Sequence, residues 1–224
     1  MADINVNQTS IVISTYDNSR LEGLNNILEA WLKQSNEVIL CDCSCGKFQT
    51  TLPIIHIRFN QDLGNKTRHA ASLLTSNDFI IKADDDVMPK PGLIQDMHKA
   101  WLEVGGGIVG LLGRTFKGEN YLRQTTFYRA DLVRSPICVD FVGITTFTSR
   151  NYLAFDLKGC LNPIEDLFWQ MKCFPKVPKW VVPTTNFEIL PEARNPNEAL
   201  YLNTQAQKIR QNFYRKYYLK SYRQ

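Results

Sequence analysis

The chain has 224 residues, 44% of them hydrophobic and 21% charged, a composition that suits one sizeable globular domain and excludes a fibrous or disordered protein. Its net charge is +4, but six basic residues (Lys208, Arg210, Arg215, Lys216, Lys220 and Arg223) follow Gln205 with no acid among them, which leaves the rest of the chain at −2. The basicity belongs to the tail, where basic and aromatic residues interleave, so a nucleic-acid-binding protein is the main non-enzyme alternative; against it, the body is net acidic and shows no recognition motif, and nucleic acid is not the expected partner.

No run of about 18 apolar residues occurs, and MADINVNQTS lacks the basic and apolar regions of a secretory leader, so a cytoplasmic location is expected. Six cysteines stand at positions 41, 43, 45, 138, 160 and 173 without a CxxC pair. Cys41, Cys43 and Cys45 alternate along one predicted strand face, where they are poorly placed to bridge one another, and free thiols are expected.

In chain order, Ser10 to Thr15 (SIVIST) predicts a strand and Leu21 to Leu32 a helix with apolar residues at helical spacing. Glu37 to Asp42 and Pro53 to Arg58 predict two further strands, Gly64 to Leu74 a helix, and Asp78 to Ala83 a fourth strand. Strands alternating with helices imply right-handed crossovers and a mainly parallel sheet. After a helix over Gly92 to Val104, Gly105-Gly106-Gly107 leads into β-rich pieces, around Thr125 to Tyr128 and Val139 to Phe147, that suit antiparallel additions. Pro163 to Cys173 (PIEDLFWQMKC) reads as a helix with proline in its first turn and acids at its N-terminus. Pro175 to Pro196 reads as irregular.

The ligand crevice of such sheets lies beyond the carboxyl ends of the strands. Acids gather there: Asp17 after the first strand, Asp42 after the second, and Asp84-Asp85-Asp86 in IIKADDDVMP after the fourth. Adjacent carboxylates repel, and a divalent cation removes the problem. Asp84 and Asp86 can reach one ion if the backbone turns, while Asp85 points elsewhere, toward a ribose hydroxyl for instance. Hard oxygen ligands suit Mg²⁺ or Mn²⁺, with positions left for phosphate oxygens. A solvated turn before a helix is the other reading of the triplet, and a metal-dependent phosphatase or nucleotidyltransferase is a competing enzyme class.

In order, SIVISTYDNSRLEGLNNILEAWLKQ, NEVILCDCS, NQDLGNKTRHAASLLTSNDFIIKADDDVMPKPG, DFVGITTFTSRNYL and NPIEDLFWQMK resemble the nucleotide-sugar glycosyltransferases of the GT-A fold, family 2 in particular, with some likeness to the exostosin-like family 64. The resemblance spans about residues 10 to 185. It implies a single GT-A (Rossmann-like) α/β domain over 1–204, with a mainly parallel central sheet flanked by helices and a smaller antiparallel acceptor-side portion. The nucleotide-binding half would cover about 1–90 and the acceptor half about 91–204, followed by a basic aromatic helix over 205–224.

The resemblance further implies a metal-dependent transferase that moves a sugar from a nucleotide diphosphate donor, UDP by family prior, to a hydroxyl of a glycan, lipid-linked or protein-linked acceptor. Thr15, Tyr16, Asp17, Asp42, Arg68, Asp84 and Asp85 would meet the nucleotide, Asp84 and Asp86 the Mn²⁺ or Mg²⁺, and Gly143 and Thr145 the acceptor side. Asp166 would be the general base of an inverting transfer, supported by Glu165; the family 64 likeness implies retention instead. The late histidine that many metal-dependent relatives supply is missing, since His56, His69 and His98 all precede Glu165.

In the tail, Ile209, Phe213 and Tyr217, and Tyr214, Tyr218 and Tyr222, recur at helical spacing beside the basic residues. Such a helix either packs on the domain with its basic side solvated or makes peripheral contact with an anionic membrane.

Overall fold

The structure is a computed structural model that describes residues 8–16, 19–121, 125–153, 160, 164–191 and 204–222. Its elements run β1 (Thr9–Tyr16), α1 (Leu24–Leu32), β2 (Glu37–Cys43), β3 (Ile55–Arg58), α2 (Lys66–Ala71), β4 (Phe79–Asp84), β5 (Val87–Pro89), α3 (Leu93–Glu103), β6 (Ile108–Phe116), β7 (Thr125–Arg129), β8 (Ile137–Val139), β9 (Phe141–Ser149), α4 (Glu165–Leu167), β10 (Lys179–Val181), β11 (Phe187–Ile189) and α5 (Thr204–Tyr222). Nine strands form one sheet in the order β3-β2-β1-β4-β9-β6-β10-β8, with β7 on β6; β5 and β11 form a separate antiparallel pair. The pairs β3-β2, β2-β1, β1-β4 and β6-β10 are parallel, whereas β9 runs antiparallel to both β4 and β6.

The parallel half follows from strand alternation. Ile11, Ile13, Val38, Leu40, Ile81 and Ala83 join the buried face of α1 (Leu24, Ile27, Leu28, Trp31) and of α3 (Leu93, Ile94, Met97) in one core. Val12, Ile39, Cys41 and Ile80 face the other way, where Ala71 of α2 meets them. Burying side chains of this size stabilises by about 2 kcal/mol each. The same alternation carries Lys82 and Asp84 to the α2 side of β4, the side that carries Arg68 and His69.

Several expected elements are shorter than their patterns. The Leu21–Leu32 helix breaks at Gly23, with a tighter turn over Ser19–Glu22 before it. Ser72–Leu74 tightens into a separate turn after α2, and Pro53 stays outside β3 because it brings no N–H to the ladder. The helix at Pro163–Cys173 is helical in the ordinary sense only over Glu165–Leu167 and continues as a π-helix over Phe168–Cys173, closed by the Phe174 N–H on the Trp169 carbonyl at 3.1 Å. Pro163 lies outside the described residues. Within Pro175–Pro196, β10 and β11 replace the irregular chain expected there.

Gly107 has φ +104°, and a Cβ there would sit 2.4 Å from the Pro178 carbonyl oxygen, so only glycine lets β10 come alongside β6. On β9 the register with β6 shifts between Gly110 and Leu112, and Ile144 and Thr145 are left-handed at φ 50° and 48°. The Gln170 side chain binds this irregular strand as a surrogate peptide, its Oε1 accepting from Val142 N–H at 2.9 Å and its Nε2 donating to the Val142 carbonyl at 2.5 Å.

The aromatic side of α5 packs on the domain. Phe213 and Tyr214 are buried with Phe116, Tyr121 and Phe168, and the Tyr214 hydroxyl donates to the Gly118 carbonyl at 2.5 Å. Half of the interleaved tail pattern is thereby withdrawn from any nucleic acid or membrane surface. The side chain of Tyr222 lies outside the described residues. No helix among the described residues is long and apolar enough to cross a membrane. The six cysteines are free; Cys41 and Cys43 are buried, whereas Cys45 lies past the end of β2 and is exposed.

Candidate functional site

The carboxyl ends of β1 and β4 and the first turn of α4 converge on one acidic crevice. Asp84 ends β4, and both of its oxygens are engaged: Arg68 Nη1 donates to Oδ1 at 2.8 Å, and the Thr145 N–H donates to Oδ2 at 2.8 Å. The left-handed backbone at Thr145 is what turns that amide toward the carboxylate, while the Thr145 hydroxyl is buried without a partner. Asp85 points to the opposite side of the strand end, where Thr15 Oγ1 donates to Oδ2 at 2.9 Å and Arg20 Nη1 to Oδ1 at 2.7 Å. Arg20 Nη2 also reaches Asp86 Oδ2 at 2.9 Å.

From the far end of the chain, Asp166 meets the same group of side chains. Arg68 Nη2 donates to its Oδ2 at 2.8 Å, so one buried guanidinium bridges Asp84 and Asp166. His69 Nε2 lies 3.2 Å from Asp166 Oδ1, and Lys82 Nζ lies 3.1 Å from His69 Nδ1 and 2.9 Å above the centre of the Trp169 ring. Asp166 keeps 23% of its side chain exposed, whereas Glu165 beside it is buried, with Oε1 unpartnered.

The electrostatics divide these acids. Burial alone would raise Asp166, but Arg68 more than offsets it and holds the carboxylate well below its usual range. Burial, and then repulsion by Asp84, pushes Asp86 up to about 7 against the pull of Arg20. Burial likewise raises Asp85. Glu165 rises to about 7, through burial first and then Asp166. Burial, with Lys82 beyond it, takes His69 down to about 3, so its ring is neutral at ordinary pH.

Four carboxylates (Asp84, Asp85, Asp86, Asp166) thus share two guanidiniums (Arg20, Arg68), and burial together with repulsion by Asp84 raises Asp86. Among the described residues no three His, Cys, Asp or Glu side chains are arranged to hold a metal by themselves. Both oxygens of Asp84 are engaged by Arg68 and Thr145 and one oxygen of Asp86 by Arg20, so Asp86 Oδ1 is the carboxylate oxygen here to which no hydrogen bond or ion pair is assigned among the described residues.

Other expected site residues stand differently. Tyr16 donates its hydroxyl to Asn65 Oδ1 at 2.8 Å, a contact shared by Ser14 Oγ, and burial raises its phenol well above the usual value. Asp42 is 1% exposed and already engaged, accepting from Ser44 N–H at 2.8 Å and lying 2.9 Å from His56 Nε2. This carboxylate organises the turn after β2. Gly143 faces Leu112 across β9 and β6, with the Phe141 ring 3.3 Å from where its Cβ would be. Asp17 lies outside the described residues.

Sequence reasoning missed Arg20, Asn65, His69 and Lys82. Arg20 had a usable signal, since it is the one cation between Tyr16 and Leu32 and follows a strand end.

No protein-family model matches the chain, and no curated protein matches it. Solved structures do. S. aureus TarS, residues 1–349, matches with TM-score 0.55 at 16% identity over 80% of this chain and 59% of that chain. The same protein in complex with UDP matches with TM-score 0.57 at 15% identity, over 90% of this chain and 64% of that one. The chain therefore spans about six-tenths of the length of the structures it matches. The likeness carries the fold, an α/β GT-A arrangement with a mainly parallel central sheet flanked by helices.

Proposed function

We propose that this domain transfers a sugar from a UDP-sugar to an acceptor hydroxyl, with donor and acceptor chemistry meeting at Arg68. The observation that carries the reading is the bridge itself. One guanidinium ties the strand-end acid Asp84 to Asp166, and these are the two positions that the family 2 resemblance assigns to diphosphate and to the general base. The structural match to a UDP complex supports the choice of nucleotide.

In this reading Asp85 and Thr15 line the ribose side, Tyr16 and Asn65 flank the nucleoside, and Asp86 with Asp84 holds Mn²⁺ or Mg²⁺. The ion would supply Lewis-acid stabilisation of the diphosphate. The acceptor oxygen forms its bond to the anomeric carbon as the bond to the UDP oxygen breaks, and its proton passes to Asp166. A carboxylate held this firmly ionised is a weak base at rest. It becomes effective as the attacking hydroxyl acidifies in the transition state, and it needs only about 3 Å of reach. Inversion follows from that role.

A thermal-shift panel of UDP, GDP and dTDP and their sugars, with Mn²⁺, with Mg²⁺ and with chelator, tests the donor side. UDP with Mn²⁺ is expected to raise the melting temperature, and Asp86→Asn to abolish the shift. A flat response to every nucleotide would overturn the reading. Asp166→Asn is expected to keep the shift and lose transfer; transfer at the normal rate would remove Asp166 as the base.

A further inference from the structure

Asp166 carries more support than a base exposed at a crevice needs. Arg68 accounts for one of its oxygens. The other faces His69, a side chain 1% exposed on α2, whose far nitrogen faces Lys82, also 1% exposed, on β4. Lys82 is itself buried, and its Nζ caps the face of the buried Trp169 ring. The chain Asp166–His69–Lys82 is therefore a strut that runs from the crevice into the core and rests on an aromatic floor.

Its hydrogen-bond directions are determined. An ionised carboxylate only accepts, so the ring nitrogen facing Asp166 must bear the hydrogen. With Nε2 carrying the one hydrogen of the neutral ring, Nδ1 is an acceptor and takes its hydrogen bond from Lys82 Nζ. The charged and titratable groups facing His69 are Asp166 from α4, Arg68 from α2 and Lys82 from β4, and Lys82 in turn also faces Cys173 at the end of the π-helix. Of these only Asp166 is a carboxylate, so the strut has one possible acceptor at its outer end.

We propose that His69 is a positioning residue for Asp166: anchored through Nδ1 on Lys82, it holds the carboxylate by its Nε2–H in the one rotamer that turns the remaining lone pairs to the acceptor hydroxyl. This rests on the reading of Asp166 as the base. The physical need is plain. With Arg68 alone, the carboxylate could pivot about one oxygen, and a displacement of the order of 1 Å at a reacting group lowers a rate by about a hundredfold. Held at both oxygens by donors from one helix, it cannot.

The first test is independent of turnover. In protein labelled with ¹⁵N-histidine, the ring resonances of His69, assigned by their loss in His69→Gln, are expected to show the neutral Nε2–H tautomer at pH 7.5. An Nδ1–H or doubly protonated ring overturns the proposal, whether or not the protein transfers sugar. The ¹³Cγ resonance of Asp166, assigned by Asp166→Asn, is expected to move in His69→Leu and much less in His69→Gln, whose amide can replace the donor. An Asp166 signal indifferent to both overturns it too.

The second test is kinetic, with the UDP-sugar that gives the largest thermal shift. His69→Leu is expected to lower kcat about tenfold or more while the donor KM stays within about twofold, and His69→Gln to recover most of the loss. Asp166→Asn combined with His69→Leu is expected to fall no further than Asp166→Asn alone, because the two act as one unit. Equal losses for Leu and Gln, or losses that multiply in the double variant, overturn the proposal. If Asp166→Asn transfers normally, it is the assignment of the base that fails, and the ring tautomer still reports on the strut by itself. Should His69→Leu not fold, the measurements on the unsubstituted protein and on His69→Gln decide.

Discussion

Glu165→Gln is expected to make the protein more stable at alkaline pH and to leave it nearly unchanged in acid. Glu165 is 2% exposed, with one carboxyl oxygen lacking any partner, and burial followed by Asp166 pushes it up from 4.5 to about 7. Below 4.5 both the folded and the unfolded chain hold the proton, and the residue carries no penalty. Between 4.5 and about 7 only the unfolded chain ionises, so stability is lost as pH rises through that window, and above about 7 the loss is complete. At about 1.4 kcal/mol per unit, the loss between pH 5 and pH 8.5 amounts to roughly 2.5 kcal/mol, or about 5–10 °C in melting temperature for a domain of this size. Glutamine does not titrate, and every pH-independent effect of inserting an amide cancels when the gain over wild type at pH 5 is subtracted from the gain at pH 8.5. Thermal melts of both proteins at the two pH values measure that difference. A value under about 2 °C would show that Glu165 ionises freely in the folded chain, and the electrostatic account of the crevice would fail with it.

Arg68→Met leaves Asp84 and Asp166 without their shared cation, and urea unfolding at pH 7 is expected to show a loss of about 3–5 kcal/mol. Asp166 is depressed in the folded chain, so its contribution is present above 3.8 and lost as pH falls below it; the gap between variant and wild type should therefore narrow in acid, and a gap independent of pH would contradict the pairing. Gly107→Ala drives a Cβ toward the Pro178 carbonyl at a φ of +104°, and a loss of about 2–4 kcal/mol is expected from the same denaturation; an unchanged midpoint would refute the close approach of β10 to β6. Tyr214→Ala removes a fully buried ring 4.7 Å from that of Phe116, for an expected loss of about 3–5 kcal/mol and faster proteolysis within α5. A tail equally resistant to protease would mean that α5 does not depend on this contact.

The parallel half of the sheet was legible because its strands are long enough to alternate and are bounded by acids and turns. Val12 and Ile13, one residue apart, enter different cores as period-two spacing requires. The half beyond β4 was readable only in outline. Strands of three residues such as β8, β10 and β11 carry no periodicity, and β10 depends on Gly107 making room from about 70 residues away. The acids at the strand ends stood out, but their partners did not. Arg20 and His69 look like surface residues in their local context, and Lys82 looks like an interruption of an apolar strand. Their roles arise from pairing across the fold, which local spacing does not encode. Asp42 shows the converse, a strand-end acid whose position invited a ligand and whose nearest neighbours, Ser44 and His56, already occupy it.

The left-handed pair at Ile144 and Thr145 sets a direction for laboratory evolution. Branched side chains resist this conformation by about 1–2 kcal/mol each, and Thr145 also buries a hydroxyl without a partner, so a selection for heat resistance alone will be drawn to glycine at 145, whereas packing against the core retains Ile144. Such clones would melt higher and lose the stiffness that aims the Thr145 amide at Asp84. Thr145→Gly is thus the place where a thermostable descendant of this protein is expected to hold the Asp84 carboxylate less firmly.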